Sequence, residues 1–167
     1  MTTPRTRRQT RRFDSPEQEA YLNLWRTYDR LRALEDELFA RFDLTAQQYN
    51  ALRLLRSAHP NHVPTLELAG RLVSRAPDIT RLLDKLASRG LVERDRPADD
   101  RRVVRVRITE AGIALLGSLG EPIRECHAHQ LGHLSQQQMR DLLALLHSAR
   151  APHEETDSIW QARKEKS

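Results

Sequence analysis

Two apolar periods meet within residues 66–108, and their order leaves few folds open to this chain. Leu66, Ala69 and Leu72 mark a short helix, and a tight turn at residues 73–75 ends it. Ile79, Leu82, Leu83 and Leu86 then recur at three-and-four spacing, as in a helix with one buried face. Arg75, Asp78, Thr80, Arg81, Asp84 and Lys85 fall on its other face. Gly90, free to take a positive φ, predicts the end of that helix. The period then changes to two. Residues 92–96 and 103–108 alternate as half-buried strands do, with Val104, Val106 and Ile108 on one face and Arg105 and Arg107 on the other. Helix, turn, helix and basic hairpin predict a mostly α (α+β) chain built on a winged helix-turn-helix. A helix of this kind fits the major groove of duplex DNA, and a basic ribbon beside it reaches phosphates or the minor groove.

The flanking segments predict more helix. Residues 1–14 carry Arg5, Arg7, Arg8, Arg11 and Arg12 and no apolar pattern, so a disordered basic arm is expected, either touching phosphate or simply solvated. Ser15, Pro16 and Gln18 form a helix start with a capping box. Tyr21, Leu24, Trp25, Tyr28, Leu31, Leu34, Leu38, Phe39 and Phe42 follow as one stripe, giving a helical segment over residues 15–43. Such a stripe is core packing or a dimer seam with one wall of a ligand pocket.

Thr45 with Gln48 opens the next helix, which faces Tyr49, Leu52 and Leu55 inward, and Thr65 caps the short one. The lobe spans residues 44–109. Helices fill 110–150, with Gly117, Gly120 and Pro122 expected to bend or interrupt the first and Gly132 to break it. Ser135 and Gln138 form a third capping box, ahead of Met139, Leu142, Leu143, Leu145 and Leu146. Residues 151–167 are a polar tail. A winged helix closes its own core between residues 44 and 108, so the outer stripes are expected to pack on each other and on a second copy. An isologous dimer would place two reading helices about 34 Å apart, one DNA turn.

Charge and cysteine usage narrow the setting. The net charge is +5, with 28 basic and 23 acidic residues, so the surface is patterned and not a polycation. Cys126 is the only cysteine, which excludes an intrachain disulfide and fits a reducing cytoplasm. No apolar run approaches the roughly 20 residues of a membrane span, so a membrane partner is not expected. The paired arginines near the start lack the apolar segment of an export signal.

The combined pattern resembles the MarR family of bacterial transcriptional regulators. The residues that carry it are Leu44-Thr45-Ala46-Gln47-Gln48-Tyr49, Thr65-Leu66-Glu67-Leu68-Ala69, Thr80-Arg81-Leu82-Leu83-Asp84-Lys85-Leu86, Arg89-Gly90-Leu91-Val92, Asp100-Arg101-Arg102 and Ile108-Thr109-Glu110-Ala111-Gly112. Order and spacing agree over roughly residues 20–150. The resemblance implies a homodimer, pseudo-palindromic double-stranded operators, and repression relieved by small phenolic or aromatic ligands, or in some branches by thiol oxidation or metals. It also implies that Arg102, within an Asp-x-Arg pattern, enters the minor groove. Pro77 and Asp78 depart from the small hydroxyl residues many relatives carry there. Asp78 either accepts from a cytosine amino group or points aside at the helix start.

The expected DNA contacts are Thr65, Arg75, Ala76, Pro77, Asp78, Thr80, Arg81, Lys85, Arg101 and Arg102, with the reading helix over residues 76–89. Candidate walls of a ligand pocket, by family analogy, are Trp25, Tyr28, Tyr49, His59 and His62. Cys126, His127, His129 and His133 carry zinc-ligand chemistry, but a helix end at Gly132 falls among them, so surface histidines and no metal or cofactor are expected. Cys126 is expected to be inert, because no cysteine stands near the start of the first long helix, where oxidation-sensing relatives keep theirs. No nucleophile elbow, phosphate-binding glycine loop or HExxH motif is present, so an enzyme is not expected. The alternatives are a winged-helix protein-interaction module and, more distantly, a metal- or redox-responsive regulator.

Overall fold

The computed structural model describes residues 13–73, 78–96 and 103–154. Helix α1 covers Pro16–Ala40. The Ser15 hydroxyl accepts from the Gln18 amide at 3.1 Å, and Pro16 takes the first turn, where its missing N–H costs nothing. The expected capping box does not close. The Gln18 side chain reaches back to Asp14, accepting from its amide at 2.8 Å and donating to its carboxylate at 3.1 Å. Helix α2, Ala46–Ala58, does have its box: Thr45 and Gln48 exchange bonds of 3.2 and 2.9 Å.

A two-residue strand, β1 (Val63–Pro64), leads into α3, Thr65–Arg71. Here two expectations fail. Thr65 does not cap, because its amide and hydroxyl both donate to the Val104 carbonyl at 3.0 Å and stitch α3 to the hairpin. Leu66, placed on the apolar face by its spacing, is 84% exposed, and Leu68 is the buried residue of this helix. Helix α4 covers Ile79–Ser88, beginning at a cap on Asp78, whose carboxylate accepts from the Arg81 amide at 2.8 Å. The turn at residues 74–77 lies outside the described residues.

Strands β2 (Val92–Asp95) and β3 (Arg105–Ile108) pair antiparallel, and the sheet runs β1-β3-β2. Val92 faces Ile108 and Arg94 faces Val106, so the apolar side of the hairpin turns inward as the alternation predicts. Helix α5 covers Glu110–Leu131. Thr109 caps it, accepting from the Gly112 amide at 3.2 Å and donating to the Gly90 carbonyl at 2.6 Å. Gly112 is required there: a Cβ would lie 2.4 Å from the Leu91 carbonyl oxygen.

The expected interruption of α5 is absent. The helix runs unbroken through Gly117, Gly120 and Pro122, because Leu116, Leu119 and Ile123 are buried along this stretch and packing outweighs local propensity. Gly132 does end it, its amide donating to Ala128 at 2.8 Å. Helix α6, Gln136–Arg150, starts with the expected Ser135 and Gln138 box.

The buried set forms one cluster. Leu52, Leu55, Leu68, Leu83, Leu86, Val106 and Ile108 lie at its centre. It does not close within residues 44–108, because Leu38 and Phe39 of α1 and Leu116, Leu119 and Ile123 of α5 belong to the same cluster. The inner ends of the flanking helices are therefore part of the lobe's core. Their outer ends are not: Trp25 is 59% and Leu143 61% exposed.

Candidate nucleic-acid interface

Helix α4 is anchored on one side and free on the other. Leu82, Leu83 and Leu86 are buried, while Thr80, Arg81, Asp84, Lys85 and Ser88 are exposed. An amphipathic helix held by its apolar face presents a fixed polar face, which groove reading requires. Asp78 belongs to the frame of this face. Its carboxylate is committed to the Arg81 amide, so one donor that the first helical turn leaves unsatisfied is filled. Arg81 and Lys85, one turn apart, carry the positive charge of the face.

The hairpin is braced to α4. Arg94 of β2 donates to the Asp84 carboxylate at 2.6 Å and to the Thr80 carbonyl at 3.0 Å. That bridge pairs the Asp84 carboxylate with a cation on the exposed face of α4. On the outer side of the hairpin Arg107 pairs with Glu93. Arg75, Ala76, Pro77, Arg101 and Arg102 lie outside the described residues. Thr65 sits half-buried at the start of α3, bonded to Val104 just before β3.

Sequence reasoning missed a cavity of about 800 Å³ between α3, α4 and the hairpin, lined by Pro64, Thr65, Leu66, Thr80, Leu83, Arg94, Arg96, Val103 and Val104. Its signal was present in the alternation. Val92, Arg94 and Arg96 share one strand face, so the inward side of the hairpin changes from valine to arginine as it leaves the core. The exposed Leu66 is one of the cavity's apolar lining residues.

The five aromatic and histidine candidates stand on α1, on α2 and in the segment after it. Trp25 lines an open groove on α1 together with Phe13, Leu22 and Arg26. Tyr28 is exposed on the same helix. Tyr49 stacks on Phe39, with centroids 4.9 Å apart, against the core. His59 is exposed at the end of α2, and His62 is half-buried before β1.

Among the described residues no group of three or more His, Cys, Asp or Glu side chains is placed to hold a metal ion. His127 meets Glu35 at 3.3 Å, and Gln130 donates to the Leu31 carbonyl at 2.8 Å, so these α5 residues tie it to α1. Burial, with the Glu35 carboxylate, pushes the Cys126 thiol above its ordinary range. No described helix is long and apolar enough to cross a membrane.

The MarR family model matches residues 44–104. A MarR transcription factor from Planctomyces limnophilus is 58% identical, over 81% of this chain and 98% of that one, with a TM-score of 0.66. A cysteine-to-serine MarR from E. coli, complexed with operator DNA, is 26% identical over 78% and 93% of the two chains, with a TM-score of 0.69. BpsR from Bordetella bronchiseptica, whose DNA binding is regulated by 6-hydroxynicotinic acid, is 21% identical over 78% and 98%, with a TM-score of 0.70; that likeness is one of fold.

Proposed function

Because the chain belongs to the MarR family of transcription regulators, we propose that it acts as a homodimer binding a pseudo-palindromic operator in double-stranded DNA, and as a repressor released by a small aromatic ligand. One observation carries the DNA reading: the polar face of α4 is exposed and rigidly backed by Leu82, Leu83 and Leu86, beside a hairpin braced to it through Arg94. Thr80, Arg81 and Lys85 make the groove contacts. Thr65, Arg75, Ala76 and Pro77 are proposed as further contacts, with Arg101 to the flanking backbone and Arg102 to the minor groove, as the family resemblance implies. Asp78 holds the helix start and reads no base.

Titration of a duplex enriched by the protein from genomic fragments, with competitor DNA and a salt series, tests this. Specific binding should exceed that of random duplex by about a thousandfold or more. Its affinity should fall linearly in log–log terms with salt, reporting the phosphates neutralised. Equal affinity for random duplex would refute sequence-specific control.

The small-molecule site proposed is the cavity beneath the hairpin. That space joins apolar walls, Leu66, Leu83, Val103 and Val104, to two arginine heads, Arg94 and Arg96. Such a lining suits a small aromatic anion. A carboxylate there competes with Asp84 for Arg94 and loosens the brace between hairpin and α4. Small aromatic carboxylates should therefore lower operator affinity of the native protein and leave that of Arg94→Ala unchanged. An equal response in both would place the ligand elsewhere.

A further inference from the structure

Arg89 joins two helix ends. It stands at the C-terminal cap of α4, one residue before the turn at Gly90. Its guanidinium donates through Nη1 to the Asp43 carbonyl and through Nη2 to the Phe42 carbonyl, the latter at 3.2 Å. Both carbonyls belong to the turn that ends α1, where Asp43 takes φ 52. These two carbonyls lie past the end of the helical ladder, and backbone carbonyls outside a ladder need another donor. A planar cation with forked donors is their fitting partner, and it fixes direction as well as distance.

The Asp43 carboxylate contributes little. It lies 3.8 Å from Nη1 and is 93% exposed, so water screens it. The contact is therefore made to the backbone of α1. Leu38, Phe39 and Leu44 also hold this end of α1 in the core, but the hydrophobic driving force by itself is non-directional. Arg89 supplies a directional tie between α4 and the end of α1. The outer half of α1 carries the exposed Tyr21, Leu24, Trp25 and Tyr28.

We propose that Arg89 is a positioning residue that sets the orientation of α4 relative to α1, and with it the half-site separation that the dimer accepts. The inference rests on the dimeric DNA reading proposed above. Inserting one base pair moves a half-site by about 3.4 Å and turns it by roughly a tenth of a helical turn. A dimer with a fixed angle between α4 and α1 rejects that change, and one with a loose angle follows it.

The test uses full-length protein and duplexes that the wild type selects from a randomised pool. These are resynthesised with one or two base pairs added to or removed from the centre, with a single half-site duplex beside them. Wild type should lose about tenfold on each altered spacing, the scale of one disrupted base pair. Arg89→Ala should lose less than about threefold across the same series. It should remain dimeric by sedimentation and bind the single half-site as wild type does. Arg89→Lys keeps the charge and stem without the fork, should behave likewise, and carries the test if the alanine variant does not fold. Wild-type spacing dependence in either folded variant would overturn the proposal. So would an equal loss on every duplex including the half-site, which is the mark of a lost phosphate contact. Absence of any spacing preference in the wild type would instead overturn the dimeric reading itself.

Discussion

Asp78 has two chemically distinct roles open to it in the sequence, and a pair of substitutions separates them. Its bond to the Arg81 amide is a helix cap, so Asp78→Ala should cost about 1 kcal/mol in denaturant unfolding. Asp78→Asn keeps an accepting oxygen and should stay within a few tenths of wild type. Unchanged base preference in Asp78→Asn, read by binding to a panel of operator variants, would confirm that the carboxylate is structural. Cys126 is the second single-residue case. Its raised pKa means that the folded state disfavours the thiolate. Stability is then fully present below the unfolded thiol pKa and declines as pH rises through the higher folded value. Cys126→Ser should remove that alkaline component in a pH series of melting curves. At neutral pH the native thiol should react more slowly with iodoacetamide than the same thiol in urea, since the thiolate is the nucleophile. Peroxide release of the native protein from DNA, absent in Cys126→Ser, would contradict an inert thiol.

Elements here are placed by close backbone approaches that the periodicity does not carry. Gly112 sits where α5 passes over the end of β2, and a methyl there would press on the Leu91 carbonyl at 2.4 Å. Gly112→Ala should therefore destabilise by about 1–3 kcal/mol. Gly117→Ala, in open space on the same helix, should stabilise by up to about 1 kcal/mol through helix propensity. Thermal melts of the two variants check this directly, and equal shifts would show that the close approach is not felt. The same contrast accounts for α5 itself. Pro122 and the glycines read locally as interruptions, but burial of Leu116, Leu119 and Ile123 holds one continuous helix.

At the scale of the molecule, one chain leaves its outer helices uncovered. Tyr21, Trp25 and Tyr28 on α1 and Leu143 and Leu145 on α6 are each more than half exposed. Exposed apolar side chains grouped on a helix suit the dimer interface proposed above. The full chain should sediment as a dimer at micromolar concentration. Trp25→Glu should shift it toward monomer and leave the fold intact by circular dichroism, because that side chain lies outside the buried cluster. A monomeric wild type would end the dimer reading. The full chain is the material for this test, because Leu38, Phe39, Leu116, Leu119 and Ile123 of the flanking helices are part of the lobe's own core.

What the chain determines by itself is local and periodic. The three-and-four spacing of Leu82, Leu83 and Leu86, the alternation around Val106, and the Thr45 and Ser135 capping boxes each follow from interactions within a few residues, and each is found as read. Tertiary structure alone decides where long-range partners land. Thr65 turns from cap to stitch because Val104 lies 39 positions away in sequence yet within hydrogen-bond reach. Arg89 meets the end of α1 across 46 positions. Leu66 lines the cavity between α3, α4 and the hairpin and is not part of the buried core. Such contacts depend on how whole elements pack, and packing is a property of the assembled core that no window of sequence contains.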